Sequence, residues 1–182
     1  MDERELIASC LNGQMEDFRM IVERFSAPAM ALAINMLGNR DDAEDACQEL
    51  FIQVYRNLRS YDPNKSFKNW LYTILYRRCL DRLRKRRRMV DLEKRMSLET
   101  PLVTPANPGH SGPASGLPSG LLEGLKAKEK TALCLWANEG YSAREISEVL
   151  GCASSTARVY LFQARKKIKK SLEQGHVSLQ NG

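Results

Sequence analysis

Between Arg77 and Arg88 this sequence places eight lysines and arginines against the single Asp81. Guanidinium and ammonium groups bind phosphate oxygens, so such a run suits a nucleic-acid backbone. A cation-rich helix end also complements the helix dipole, but eight cations in twelve residues exceed what a dipole can use. Just ahead stand Tyr61, Phe67 and Trp70, whose ring faces could stack on unpaired bases. Phe67, Trp70 and Ile74 also fall at the helical spacing of a core face, the commoner use of that pattern. Further on, Arg158 follows Ser154 and Ser155 and precedes Arg165, Lys166, Lys167, Lys169 and Lys170. Arginine bidentate to guanine is the commonest base-specific contact, while the later cations suit phosphates. The chemistry on offer is recognition. There is no carboxylate cluster for a metal, no glycine-rich phosphate cradle and no nucleophile with its base, so neither an enzyme nor a cofactor is expected.

Helices must position these groups. Asp42 to Leu58 reads as one, with Asp41 as its cap, acids in its first turn and Ala43, Ala46 or Cys47, Leu50, Val54 and Leu58 along one face. Its opposite face shows Asp45, Gln48, Glu49, Gln53 and Arg56. The Tyr61-Asp62-Pro63-Asn64 cluster breaks it, and a second helix starts near Ser66, carrying the basic run at its far end. Before them, Leu6 to Leu11 and the stretch around Phe18 to Phe25 read as two helices, and Pro28 starts a further apolar piece ending at Gly38.

The segment 89–120 is of different material, with five of the seven prolines and no apolar periodicity, and reads as a linker, with Met89 to Leu98 open to carrying the preceding helix further. Beyond it, Ala132, Leu133, Leu135 and Trp136 lie on a helix ending at Gly140. Ser142 with Glu145 is a capping-box pattern, and Gly151 permits a tight turn before a helix opening at Ala153 or Ser154. Helix, glycine turn and second helix is the helix-turn-helix arrangement, whose second helix enters the major groove. The fold class is therefore all-α: two small helical domains, 1–88 and 121–174, on a flexible linker, with a tail at 175–182.

Whole-chain bounds agree. A chain of 182 residues, 43% hydrophobic and 27% charged, can form one or two small cores. Its net charge of +6 is segregated into blocks. Five scattered cysteines and two histidines lack metal-ligand spacing, and the cysteines read as buried thiols rather than a zinc or redox site. No apolar run approaches the roughly 20 residues of a membrane span, and no leader opens the chain, so a cytoplasmic protein without membrane insertion is expected.

The pattern D-A-E-D-x-x-Q-E-x-F from Asp42 to Phe51, then F-x-x-W-L-Y-x-I from Phe67 to Ile74 and the basic tail, resembles region 2 of bacterial RNA polymerase sigma factors, closest to the extracytoplasmic-function (ECF) group. The C-terminal unit resembles region 4 of the same family. The resemblance implies that Asp45, Gln48, Glu49 and Gln53 grip core RNA polymerase. It implies that Tyr61, Lys65, Ser66, Phe67 and Trp70 capture a base from the opened strand. Arg77, Arg78, Arg82 and Lys85 would serve the downstream promoter element and its backbone. Ser142, Ser154, Ser155, Arg158, Arg165 and Lys166 would serve the upstream element. Promoter DNA and an anti-sigma factor are the other implied partners. Arg77 stands where many relatives carry Asn, Lys126 where Pro is common, and Tyr160 and Gln163 where basic residues are frequent. The rival reading is a stand-alone helix-turn-helix regulator, which leaves the acidic helix and the Arg77–Arg88 run without a use.

Overall fold

The computed structural model describes residues 3–14, 16–96, 122 and 124–180, and every α element among them is a helix of the expected all-α class. The chain runs α1 (Glu3–Leu11), α2 (Asp17–Leu37), α3 (Arg40–Asn57), a 3₁₀ turn (Leu58–Ser60), α4 (Phe67–Met96), α5 (Ala127–Glu139), α6 (Ala143–Leu150) and α7 (Ser154–Gln180). The expected linker lies, from residue 97 onward, outside the described residues. Helix α4 continues past 88 to Met96, and α7 continues past 174 to Gln180.

Pro28 does not begin a new helix; it sits inside α2. An interior proline forfeits a backbone hydrogen bond and costs about 3 kcal/mol. Burial of Ile21, Phe25, Leu32 and Met36 along the same helix outweighs that, at about 1.5–3 kcal/mol per large side chain. By length and composition α2 is apolar enough to cross a membrane, a run the sequence reading did not find. Its apolar face is spent here on packing against α3, α4 and α5.

Gly38 closes α2 in the left-handed region, φ 67°, with its N–H on the Ile34 carbonyl at 2.8 Å. The cap of α3 is then Asn39, two residues earlier than the expected Asp41. Its Oδ1 accepts from the N–H groups of Asp41 (2.8 Å) and Asp42 (3.4 Å). That leaves the Asp41 carboxylate exposed at the positive end of the helix and the Asp42 carboxylate available to a partner on α4.

The two helical units are packed on one another in a continuous apolar core. Helix α5 lies on α2, and α6 lies on α4. Between them Asn69 Nδ2 donates to Glu148 Oε2 at 2.6 Å, and Lys68 Nζ pairs with Glu139 at 2.8 Å. The Tyr72 and Tyr141 rings meet edge-on at 5.9 Å.

Candidate nucleic-acid interface

Helix α3 buries Ala43, Ala46, Cys47, Leu50 and Val54, which turns Asp45, Gln48 and Glu49 to solvent and leaves Gln53 half-buried. Helix α4 lies along it and brings its arginines to the same edge. The Arg82 guanidinium stands 2.7 Å from Glu49 Oε1, 3.4 Å from Asp45 Oδ2 and 3.7 Å from Asp42 Oδ1. Arg78 donates to Gln53 Oε1 through Nε (2.9 Å) and Nη2 (2.6 Å) and lies 3.8 Å from Glu49 Oε2. Residues expected to serve two different partners are thus bonded to each other. Arg77 and Lys85 stay exposed. Ile52 and Tyr55, also exposed, extend the Gln48 side of α3, with Tyr55 edge-on to Phe18 at 5.1 Å. Sequence reasoning passed over both. The signal was there: they follow Gln48 at helical steps of four and three, off the core stripe.

The loop before α4 is built by its own polar side chains. Asp62 Oδ1 accepts from the Asn64 N–H at 3.0 Å, and Ser66 Oγ caps α4 by accepting from the Asn69 N–H at 3.2 Å. The Tyr61 hydroxyl donates to the Lys65 carbonyl. Phe67 and Tyr61, expected as base-stacking surfaces, are instead core. Phe67 is 1% exposed, against Phe25 at 5.8 Å, Tyr61 at 5.3 Å and Trp70 at 5.6 Å. Tyr61 is 9% exposed and tilted against Trp70 at 5.3 Å. Apolar rings this close stabilise one another by burial and edge contact, which leaves neither face open to a base. Lys65 and Ser66 are exposed and Trp70 is half-buried. A cleft of about 580 Å³ opens between this loop and α1, with Arg4, Asn64, Lys65 and Ser66 on its walls and Tyr61 and Phe67 also lining it. Such a volume admits a planar heterocycle.

In the C-terminal unit Ser142 forms the capping box: its Oγ accepts from the Glu145 N–H (3.3 Å), and Glu145 Oε2 accepts from the Ser142 N–H (2.8 Å). Its hydroxyl is therefore committed to the fold. Gly151, φ 62°, makes the turn, and α7 begins at Ser154. Ser155 and Arg158 are exposed and Ser154 is half-buried. Phe162, one turn beyond Arg158, is 67% exposed, a residue that sequence reasoning missed because Leu161 and Ala164 beside it are core. Arg165 lies over the Trp136 ring, 4.0 Å from its centroid, while Lys166 is exposed.

Lys167, grouped with the phosphate-binding cations from sequence, is spent internally. Its Nζ lies 2.6 Å from Glu129 Oε2 and 3.4 Å from the Gly124 carbonyl. Glu129 is 2% exposed and also accepts from the Lys126 N–H at 2.9 Å, a donor that a proline there would lack. Burial pushes the Glu129 carboxyl up, but the Lys167 and Lys126 hydrogen bonds outweigh it and hold it below its ordinary value. A lowered pKa contributes stability above the unfolded value, about 4.3, that is lost as pH falls through the folded one. Glu129→Gln should cost about 1–3 kcal/mol at neutral pH, and the gap to the parent should narrow toward pH 3 in urea titrations. An equal gap at both pH values would show that the charge contributes nothing.

Burial pushes the thiols of Cys47 and Cys134 up to about 11 and that of Cys79 up to about 12. Held as thiols at neutral pH, they are poor nucleophiles and poor metal ligands. Among the described residues no three or more His, Cys, Asp or Glu side chains gather as a metal site.

Comparison with known proteins agrees with this architecture. Residues 21–89 match the family described as Sigma-70 region 2, and residues 120–168 match Sigma-70, region 4. The chain is 30% identical to the ECF RNA polymerase sigma factor EcfG of Rhodopseudomonas palustris, over 78% of this chain and 77% of that one. It is 28% identical to the ECF RNA polymerase sigma factor SigW of Bacillus subtilis, over 93% of this chain and 96% of that one. Its fold matches the sigma factor RpoE of Bartonella quintana, solved in complex with the anti-sigma factor NepR. The TM-score is 0.70 at 25% identity, covering 87% of this chain and 98% of that one. With both regions present in order, the chain belongs to the ECF RNA polymerase sigma factors.

Proposed function

We propose that this sigma factor, which directs core RNA polymerase to promoters, divides the work among three surfaces. The outward side of α3, with Asp45, Gln48, Glu49, Ile52, Gln53 and Tyr55, docks on core polymerase. The cleft beside Lys65 and Ser66 receives a base from the opened strand, Trp70 backs its Tyr61 and Phe67 walls, and Arg77 and Lys85 hold nearby phosphates. Helix α7 enters the major groove of the upstream element. There Ser154, Ser155 and Arg158 meet base edges or phosphates, Phe162 is placed for a thymine methyl, and Lys166 and Arg165 meet the backbone. The factor catalyses no bond-making itself, works where its polymerase and promoter lie, in the cytoplasm, and has an anti-sigma protein as a further partner.

One observation supports this over a stand-alone regulator: the exposed α3 face and the Lys65 cleft lie in the same chain as the helix-turn-helix. A regulator needs only α6 and α7. Added to core RNA polymerase on a library of linear promoter fragments, the chain should yield specific run-off transcripts that core alone does not make. If it binds such fragments yet never alters transcript start sites, it is a regulator.

A further inference from the structure

Among the cations from Arg77 to Arg88, Arg82 is the most enclosed, its side chain 22% exposed, and Arg78 follows at 40%. Both face α3. A phosphate could claim Arg82 only by displacing Asp42, Asp45 and Glu49, and it could claim Arg78 only by breaking two bonds to Gln53.

We infer that Arg82 and Arg78 are positioning residues of the polymerase-docking face, not DNA contacts. This rests on the reading of α3 given above. Arg82 takes Glu49 through Oε1 and Asp45 through Oδ2, which restrains both side chains against α4 before any partner arrives. Arg78 does the same for Gln53. Long acidic and amide side chains lose rotamer freedom on docking, and a guanidinium fork that orders them beforehand removes part of that cost. Arginine suits the task because its planar fork bridges several acceptors at once, whereas an ammonium is a point charge on a flexible stem. Gln48 bonds to neither arginine and serves as the internal control.

The test uses the full chain with its cognate core RNA polymerase. Arg82→Ala should weaken core binding about three- to tenfold, the scale of one or two freed side chains. Arg82→Lys should weaken it similarly while keeping the positive charge, and should fold even if the alanine variant does not. At saturating core, promoter affinity of both holoenzymes should be unchanged. In double-mutant cycles, Arg82→Lys should be non-additive with Glu49→Gln and additive with Gln48→Ala, a pattern that a general loss of helix packing would not give. Normal core affinity in both Arg82 variants, with Glu49→Gln still weakened, overturns the inference. It would return Arg82 to the phosphate backbone if promoter binding fell instead. Normal core affinity in Glu49→Gln and Gln48→Ala as well would sink the reading of α3 itself.

Discussion

Phe67→Ala is expected to lower stability by about 3–5 kcal/mol, the usual cost of emptying a buried aromatic site. The ring is 1% exposed and touches Phe25, Tyr61 and Trp70, rings drawn from α2, the loop and α4 itself. A typical domain holds only about 5–15 kcal/mol in total, so this one change should shift urea and thermal midpoints strongly. Promoter opening should be lost in proportion to the folded fraction. Lys65→Ala provides the contrast, since its side chain reaches solvent and makes only a 4.0 Å pairing with Asp62. That variant should keep its stability within about 0.5 kcal/mol yet slow strand opening, read as permanganate reactivity of unpaired thymines. If Phe67→Ala kept its midpoint and lost opening alone, the ring would be a base platform after all. Tyr61→Ala belongs with Phe67, because its ring fills the same cluster.

Arg158→Ala should weaken holoenzyme binding to the cognate upstream element by about 1–3 kcal/mol, roughly 5- to 150-fold, and relax the preference at one base position. Lys166→Ala should weaken cognate and random DNA alike and reduce the salt dependence of binding. Fluorescence anisotropy across several salt concentrations separates the two. A loss in Arg158→Ala that is equal on random DNA would make Arg158 a phosphate contact and leave base reading to Ser155 and Phe162.

Local signals in the sequence were legible where neighbours in the chain decide the outcome. The Ser142–Glu145 box, the Gly151 turn and the core stripe of α3 follow from short-range spacing, and they formed as read. Pro28 misled because its cost is local while the burial that overrides it comes from α3, α4 and α5. The Asn39 cap was missed because Asp41 is an equally good cap residue by type, and only the Gly38 turn selects the earlier position. Site residues were less legible, for one physical reason. A cation or an aromatic ring reads the same in sequence whether it meets DNA, a carboxylate from another helix or a core. Arg78, Arg82, Lys167 and Phe67 all found partners inside the chain, at separations no spacing rule covers.

The exposed stretch of α4 bears on the speed of encounter. Among the described residues, α4 packs against the core as far as Leu83, and Arg84 through Met89 are exposed. Successive residues point about 100° apart around a helix, so the five cations Arg84 to Arg88 cover every azimuth. Arg84 pairs with Asp81, and the others extend the field by about a Debye length, roughly 10 Å at 0.1 M salt. A charge collar of this kind has no preferred side. On the function proposed above, DNA arriving from any direction would be drawn in before a specific contact is made, so neutralising the collar is expected to slow association and leave sequence choice unchanged.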